Sequence, residues 1–437
     1  MVVLKFGGTS VGSAERLKSL VEMLDRKGKV VVVLSAMSGV TNSLVSIVNK
    51  VSEGETTEAE EQLNEVSTKF TDTSLSLFSG SYLERAKTII GNGVDLIRTE
   101  FSSLRGEGKL ILAQGELITT KLFSLYLESL EISNQLLMAP DFMLLDKNNE
   151  PRETKIKYLL GEQMSEAVDL YITQGFIATN VNGEIDNLKR GGSDYSASLI
   201  GAALDAKAIE IWTDIDGFHN NDPRYVEDTH PIEYLSFDEA AELAYFGAKI
   251  LHPASVIPAR KNSIPVWLKN TMEPEAHGTL ISDNYISPGI KAVAAKDGIT
   301  TIRIQSGRML QAHGFLKRVF EVFDNYKTPI DVITTSEVAV SLTIDDTENL
   351  HDIVEDLMGF GRVEVRSDCS IVSIVGNNIT SSPRAITNTY AAFGTIPIHM
   401  ISFGGSNNNI TFVIDTENKT HTLQSLNSKI FQKPIYV

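Results

Sequence analysis

The sequence places a lysine, an arginine and paired glycines at turns between predicted strands and helices. Lys5-Phe6-Gly7-Gly8-Thr9-Ser10-Val11-Gly12 directly follows a predicted strand and opens onto a helix. Glycines let backbone N–H groups approach phosphate oxygens closely, and a helix N-terminus favours negative charge. Lys5 adds a full positive charge there. The glycine spacing fits neither a Walker A loop nor a dinucleotide fingerprint, and taken alone the motif is an equally good tight turn.

A second motif, Arg190-Gly191-Gly192-Ser193-Asp194, also precedes a predicted helix. An arginine beside a flexible turn can clamp a carboxylate or a phosphate through two parallel hydrogen bonds. Asp194 can orient lysines or hold Mg²⁺. Helix capping by Ser193 or Asp194 is the structural alternative, and it is compatible with a binding role.

Two further segments give weaker indications. Trp212-Thr213-Asp214-Ile215-Asp216-Gly217, with Asp222-Pro223-Arg224 behind it, can contact a nucleotide base and ribose, with Arg224 reaching a phosphate. In isolation an ordinary acidic loop is the better interpretation. Phe246-Gly247-Ala248-Lys249-Ile250-Leu251-His252-Pro253 supplies another lysine. A lone lysine is usually solvated, and His252 is more often a core or loop residue than a ligand.

The elements around these motifs alternate between short apolar runs and helical patterns, which is typical of an α/β sheet covered on both faces. Residues 40–105 are predicted to be mostly helical. At 437 residues the chain predicts two or three domains. The predicted strands are Val2–Phe6, Val30–Leu34, Leu110–Gln114, Phe176–Thr179, Ala208–Thr213 and Val266–Lys269.

The last third of the chain resembles two copies of one small unit. Ile330-Asp331-Val332-Ile333 is echoed by Ile398-His399-Met400-Ile401, and the strand pattern that follows each is echoed too. A repeat of this size predicts a domain duplication, with an α+β module of the ferredoxin-like kind in each copy. Chance similarity of two β-rich stretches is the alternative.

Composition narrows the class of protein. A net charge of −17 argues against a non-specific nucleic-acid or anionic-membrane binder. No uninterrupted apolar run reaches the length needed to span a bilayer, and the N-terminus starts directly with a predicted strand. The single cysteine, Cys369, excludes an intrachain disulfide and fits a reducing cytoplasm.

Together the four motifs resemble the aspartokinase branch of the amino acid kinase family. Ser35-Ala36-Met37-Ser38-Gly39-Val40-Thr41-Asn42 and Gln114-Gly115-Glu116-Leu117 are similar to two more of its motifs. Residues 309–316 and 331–337 are similar to the first of two ACT domains in lysine-type members. The resemblance implies a three-layer αβα sandwich in residues 1–286, a first ACT module in 304–369, and a second in 289–303 plus 370–437. It implies phosphorylation of the aspartate β-carboxylate by ATP, at the start of lysine, threonine and methionine biosynthesis.

The resemblance also implies a role for individual residues. Lys5 and Lys249 would lie on either side of the transferred phosphoryl group, organised by Asp194, with Mg²⁺ bridging phosphates and no dedicated protein ligands for the metal. ATP would contact Lys5, Gly7, Gly8, Thr213, Asp214, Arg224, Lys249 and Ile250. Aspartate would contact Ser35, Thr41, Glu116, Arg190, Gly191, Gly192 and Ser193, with Arg190 on its α-carboxylate and Glu116 on its ammonium. An amino-acid effector, lysine by resemblance, would contact Met309, Gly314, Phe315, Leu316, Ile330, Asp331, Ser336 and Glu337.

Departures and rivals complete the hypothesis. His219 stands where many relatives carry a tyrosine, and Ala312 and Pro329 each replace a serine, which leaves the effector open. Ser381-Ser382-Pro383 in the second copy replaces the turn Gly314-Phe315-Leu316, which predicts a packing role for that copy. A cytoplasmic homodimer paired through its ACT modules is expected, without nucleic-acid or membrane partners. The rivals are a kinase acting on glutamate, acetylglutamate or carbamate, and a non-catalytic amino-acid sensor.

Overall fold

The structure is a computed structural model that describes residues 1–24, 28–102, 104, 106–188, 191–247, 250–284, 288–309 and 313–431. These residues form two compact units, which are described separately. The first contains Met1–Phe218 and Leu251–Asn284, and the second contains His219–Ile250 and Tyr285–Val437.

The strands and helices are numbered in chain order. The strands are β1 (Val2–Phe6), β2 (Val30–Leu34), β3 (Gln135–Leu137), β4 (Leu170–Gln174), β5 (Ile177–Thr179), β6 (Ile185–Asn187), β7 (Ala208–Thr213), β8 (Tyr234–Leu235), β9 (Val266–Asn270), β10 (Thr279–Ile281), β11 (Gly289–Gln305), β12 (Ile333–Thr335), β13 (Ala339–Ile344), β14 (Arg362–Asn377), β15 (Met400–Phe403) and β16 (Asn409–Asp415). The α-helices are α1 (Ala14–Leu24), α2 (Val40–Glu53), α3 (Thr56–Leu77), α4 (Gly80–Thr99), α5 (Lys109–Ser129), α6 (Ala139–Phe142), α7 (Glu153–Gln163), α8 (Gly192–Ala203), α9 (Phe237–Tyr245), α10 (Ile257–Lys261), α11 (Phe315–Asn325), α12 (Leu350–Met358), α13 (Pro383–Phe393) and α14 (Lys419–Ile430).

The first unit is built on a sheet in which seven of its strands lie in the order β3-β4-β2-β1-β7-β9-β10. In this order the first six strands are parallel to one another, and β10 is antiparallel to β9. β2 is Val-Val-Val-Val-Leu and is buried along its whole length, as expected for a strand covered by helices on both faces. Leu4, Phe6 and the side chains on the same face of β2 share one core with α1–α5, and α8 packs on the opposite face.

Most of the predicted strands are confirmed, but Leu110–Gln114 is wrong as a strand because it lies inside helix α5. A short apolar run cannot be distinguished from part of a buried helix by periodicity, and here the run belongs to a helix of 21 residues. The predicted strand at 176–179 is β5, which begins at Ile177 and pairs with β6 in a separate two-stranded sheet. The main sheet uses β4 instead, which the sequence analysis missed. The helical prediction for residues 40–105 is confirmed by α2, α3 and α4.

Among the described residues, α5 is also the one helix whose length and apolar composition would allow it to cross a membrane. Of its most apolar window, 78% is buried inside the protein. A core helix in the middle of a domain has the same composition, and the packing of α5 against α2, α4 and the sheet accounts for its apolar surface.

The second unit contains a six-stranded sheet in the order β12-β13-β11-β14-β16-β15. β11 and β14 are long antiparallel neighbours that run through the whole sheet, and their register shifts between Lys296 and Ile299. Two hydrophobic cores lie on either side of this shift. The first joins Ile302 and Ile304 to α11, β13 and α12. The second joins Val293 to β16, α13, α14 and the end of β14. The first core is therefore nested in sequence within the second.

Candidate active site

The carboxyl ends of four parallel strands form one edge of the first sheet. Phe6 at the end of β1 pairs with Leu34 of β2 and with Trp212 of β7, and Leu34 pairs with Gln174 of β4. The loops that follow these strands therefore start side by side. In open α/β sheets, ligands bind at this edge.

Lys5 lies at this edge and is paired. Because side chains alternate along a strand, Lys5 points to the face opposite Leu4 and Phe6, where α8 packs. Its Nζ lies 2.8 Å from Oδ1 of Asp194 in the first turn of α8, and the two side chains are only 12% and 15% exposed. The structure thus brings together the two predicted catalytic residues of the first unit and holds the ammonium of Lys5 in a fixed position.

The glycines of the first two motifs allow close approach of backbone segments. The N–H of Gly7 donates to the carbonyl of Trp212 at 3.1 Å. A Cβ on Gly8 would lie 3.0 Å from the carbonyl oxygen of Ala36. Gly191, at the N-cap of α8, has a φ of +64°, and a Cβ there would lie 2.6 Å from Cβ of Ser255. Larger residues at Gly8 and Gly191 would displace the neighbouring segments.

Two predicted substrate-binding serines meet at the same edge. Ser35, just after β2, donates from its Oγ to Oγ of Ser193 in α8 at 2.9 Å. Gly175, just after β4, makes this approach possible, since a Cβ there would lie 2.3 Å from Cβ of Ser193. Thr41, also predicted to bind substrate, is exposed in the first turn of α2.

Glu116 is the buried acid of the site. It is 3% exposed and lies in α5, one residue after Gly115, where a Cβ would come within 2.7 Å of Cβ of Ala36. Burial raises the pKa of Glu116 to about 7, against the opposing effects of the backbone hydrogen bond at Ala36 and the charge of Lys5. Its Oε2 has no hydrogen-bond partner among the described residues. An ammonium group bound at Oε2 would supply the missing donor and charge.

The predicted nucleotide residues Thr213 and Asp214 lie at the end of β7. Oγ1 of Thr213 donates to Oδ1 of Asp214 at 3.1 Å, and the carbonyl of Thr213 accepts from the N–H of Thr271 at 2.8 Å. The end of this strand is therefore fixed at the same sheet edge as Lys5.

The other predicted active-site residues lie either outside the described residues or in the second unit. Arg190 and Lys249 lie outside the described residues. Arg224 lies in the second unit, where its guanidinium forms a two-point ion pair with Asp222, with an Nη2–Oδ2 distance of 2.6 Å. This pairing, through side-chain hydrogen bonds, raises the pKa of Arg224. Ile250 lies half-buried in a turn of the second unit.

The predicted effector residues lie in the first hydrophobic core of the second unit and at its surface. Gly314 caps the N-terminus of α11 with a φ of +78°, Phe315 is buried, and Leu316 is exposed. Met309 and Ile330 pack partly buried against the core. Ser336 accepts from the N–H of Ala339 in a turn, with Glu337 exposed beside it.

Asp331 is the most enclosed carboxylate of this group, with a side chain 2% exposed. Its Oδ1 lies 2.8 Å from Nζ of Lys296 and accepts from the hydroxyl of Tyr245 at 3.0 Å. Sequence reasoning missed both partners, as it missed Gly175 and Lys69, whose ammonium donates to the carbonyl of Ser38. These contacts join residues far apart in the chain, and no local pattern indicates them.

Comparisons with known proteins agree with this architecture. Residues 1–270 match the amino acid kinase family, and residues 372–430 match the ACT domain. The lysine-sensitive aspartokinase 3 of Escherichia coli (strain K12) is 32% identical over 450 residues, which cover 99% of each chain. The chloroplastic aspartokinase 3 of Arabidopsis thaliana is 33% identical over 466 residues, or 98% of this chain and 81% of that protein.

Two solved structures of E. coli aspartokinase III cover 99% of this chain and 100% of theirs at 31% identity. The complex with aspartate and ADP in the R-state has a TM-score of 0.85, and the complex with lysine and aspartate in the T-state has a TM-score of 0.83.

The chain therefore belongs to the amino acid kinase family, with an αβα kinase domain followed by ACT modules, and the predicted fold class is confirmed. Within that family, the full-length matches place it among the aspartokinases, which confirms the resemblance found in its motifs.

Proposed function

We propose that this chain transfers the γ-phosphoryl group of ATP to the β-carboxylate of L-aspartate, giving 4-phospho-L-aspartate and ADP. Its full-length relatives in E. coli and A. thaliana carry the name aspartokinase, and one similar structure holds aspartate and ADP. The observation that carries the proposal is the buried carboxylate of Glu116, with one oxygen unpaired among the described residues, near the ion pair of Lys5 and Asp194.

The substrate contacts follow from side-chain chemistry. In our proposal Glu116 accepts a hydrogen bond from the α-ammonium of aspartate, and the guanidinium of Arg190 binds its α-carboxylate. Ser35, Thr41 and Ser193 supply hydroxyl donors, and the backbone at Gly191 and Gly192 supplies N–H donors. An acylated amine carries no positive charge to compensate the carboxylate of Glu116, which favours a free α-amino acid over acetylglutamate.

The chemical step needs little from the protein besides position and charge. One oxygen of the β-carboxylate attacks the γ-phosphorus as the bond from that phosphorus to the bridging oxygen of ADP breaks. A carboxylate is already deprotonated at neutral pH, so no general base is required. Lys5, held by Asp194, and Lys249 stabilise the charge that spreads over the transferred group.

The nucleotide would lie over Thr213 and Asp214, with its phosphates against the backbone of Gly7 and Gly8. Arg224, Lys249 and Ile250 complete this proposed set. Within the part of the chain that the structure describes, the one group of side chains close enough to share a metal ion is His351, Asp352 and Glu355, all exposed in the second unit. Mg²⁺ bound mainly by the phosphates of ATP needs no protein cage, and it would offset their charge.

The proposal also includes an effector and a dimeric assembly. A similar structure holds lysine, and we assign L-lysine as the effector at Met309, Gly314, Phe315, Leu316, Ile330, Asp331, Ser336 and Glu337. Pairing of two chains through their ACT modules is supported by Leu316 and Phe320, one turn apart on α11 and 36% and 39% exposed. A cytoplasmic homodimer is the resulting assembly, and the domain limits at 286, 304 and 369 belong to the same proposal.

The proposal is tested by measuring ADP release from ATP and Mg²⁺ with four acids offered separately: aspartate, glutamate, N-acetylglutamate and carbamate. Aspartate alone should support turnover, and hydroxylamine should trap its acyl phosphate as the hydroxamate. Turnover with another of the acids and none with aspartate would replace the substrate. No turnover with any acid, together with intact lysine binding, would favour a non-catalytic sensor.

A further inference from the structure

Within the second unit, residues 242–247, which precede Lys249 in the chain, contact the six-stranded sheet. α9 ends at Tyr245, and Gly247 follows with a φ of +133°. A Cβ on Gly247 would lie 2.0 Å from the carbonyl oxygen of Ala295 in β11, so the two backbones are in direct contact. Nδ2 of Asn409 in β16 also donates to Oε2 of Glu242 in α9 at 2.5 Å.

Tyr245 connects this segment to the proposed effector site. Its hydroxyl donates to Oδ1 of Asp331 at 3.0 Å, and Nζ of Lys296 lies 5.2 Å above the centre of its ring. Lys296 in turn lies 2.8 Å from both Asp331 and Asp345. Burial, followed by the charge of Asp331, raises the pKa of Tyr245 above its ordinary value, so the hydroxyl remains a donor at neutral pH.

The cluster is electrostatically incomplete. Two carboxylates, Asp331 and Asp345, face the single ammonium of Lys296. Oδ2 of Asp331 is buried and has no hydrogen-bond partner in the described ranges. A ligand ammonium bound at Oδ2 would share the carboxylate with Lys296 and with the hydroxyl of Tyr245. Because the ligand ammonium partly neutralises that carboxylate, the carboxylate becomes a weaker acceptor for the hydroxyl of Tyr245.

We propose that Tyr245 is a positioning residue that couples occupancy of Asp331 to the segment carrying Lys249. The inference rests on the proposed function, which assigns Lys249 to phosphoryl transfer and Asp331 to the effector. Tyr245 precedes Lys249 by four residues, and its hydrogen bond is either made or broken. A ligand that favours the broken form releases the end of α9 from Asp331.

The proposal predicts a coupling free energy that depends on one hydroxyl group. Tyr245→Phe keeps the ring, and because Tyr245 is 43% exposed the substitution leaves the core intact. The matched control is Tyr326→Phe, which also removes a tyrosine hydroxyl that donates to an aspartate, here Asp356 at 3.1 Å. Thermal unfolding of both variants checks their folding.

The measurement is calorimetric titration of the full-length protein with L-lysine, with and without ATP and Mg²⁺. In the wild type the ratio of the two lysine affinities gives the coupling factor, and by linkage the same factor describes the effect of lysine on ATP binding. In Tyr245→Phe lysine should still bind, but its coupling factor should fall at least fivefold towards one. In Tyr326→Phe it should not change. The lysine concentration that halves ADP release should follow the same order.

Three results would overturn the proposal. The first is wild-type coupling in Tyr245→Phe. The second is loss of lysine binding in Tyr245→Phe, which would make Tyr245 a pocket residue. The third is a wild-type protein that binds no L-lysine, since Asp331 would then take no cationic ligand. Failure of the proposed catalytic activity looks different, because lysine and nucleotide binding can be measured in a protein that releases no ADP with aspartate.

Discussion

Each unit buries a carboxylate with one oxygen unpaired among the described residues, and the two carboxylates differ in how their negative charge is compensated. Glu116 in the first unit has no ammonium within ion-pair distance among those residues, because the nearby Lys5 is paired with Asp194, and burial raises the pKa of Glu116 to about 7. Asp331 in the second unit has the ammonium of Lys296 at 2.8 Å and the hydroxyl of Tyr245 at 3.0 Å.

The difference shows that two buried acids can be suited to two different roles. Glu116 gains its full charge only when a cationic ligand or a higher pH provides for it, so it is suited to a substrate that arrives and leaves. Asp331 keeps a counter-ion, the ammonium of Lys296. Burial lowers the pKa of Lys296, but its hydrogen bonds with Asp331 and Asp345 outweigh that effect and raise the pKa. Asp331 is suited to changing the strength of contacts that already exist.

The largest expected effect is the loss of turnover on removal of the Lys5 ammonium. Lys5→Ala should lower kcat about 10³-fold, equivalent to about 4 kcal/mol, because the proposed mechanism uses Lys5, held by Asp194, to stabilise the transferred phosphoryl group. Hydroxamate formation from aspartate and ATP measures the loss, and circular dichroism verifies folding. Lys18→Ala, which removes an exposed lysine of α1, is the control. Near-normal turnover in Lys5→Ala would remove Lys5 from the mechanism.

Stability should change in opposite directions at the two acids. A folded-state pKa of Glu116 raised to about 7 means that its contribution is complete below the unfolded value of 4.5 and is lost as pH rises through 7. Glu116→Gln should therefore stabilise the first unit by about 3 kcal/mol at pH 8 and have little effect at pH 4.5. Denaturant unfolding at both pH values measures the difference.

The matched change in the second unit is Asp331→Asn. It leaves Lys296 with Asp345 alone and should destabilise by about 1 kcal/mol, since Lys296 remains partly screened. Stabilisation by Asp331→Asn, or a Glu116→Gln effect that is the same at both pH values, would contradict the comparison.

Substrate affinity should respond next. Glu116→Gln replaces a charged acceptor with a neutral one and should raise KM for aspartate about 30-fold, or about 2 kcal/mol, with a smaller change in kcat. Steady-state kinetics at pH 8 measure it. Glu239→Gln, which alters a buried glutamate in the capping box of α9, is the control and should leave KM within twofold. An unchanged KM in Glu116→Gln would take the ammonium away from Glu116.

The smallest effect is the pH dependence of the wild type. Protonated Glu116 cannot bind an ammonium as a charged acceptor, so KM for aspartate should rise about tenfold between pH 8 and pH 6. Among the described residues, Lys5 is the charged group that acts on Glu116, and it lowers the pKa of Glu116 against the effect of burial. In Glu116→Gln the same profile should be flat over this range. A slope that persists in the variant would assign the titration to another group.

The sequence allowed much of this site to be predicted, for reasons that are local. Gly7 and Gly8 directly follow a strand, and Asp194 opens a helix, so short-range patterns placed them at a ligand-binding edge. Glu116 was assigned through resemblance, while the segment just before it was wrongly predicted as a strand. Its burial depends on how α5 packs against the loop after β2. Tyr245, Lys296 and Asp331 come together from three separate segments, and only the fold reveals that contact.

The first hydrophobic core of the second unit is nested in sequence within the second core, and this nesting sets the order in which the two modules can fold during synthesis. The strand halves, helices and hairpin of the inner module are synthesised as one continuous stretch, so that module can close as soon as β14 has emerged from the ribosome. The outer module begins earlier, with the first half of β11, but it must wait for α14. Synthesis therefore completes the inner module first, and α14 later completes the module that surrounds it in sequence.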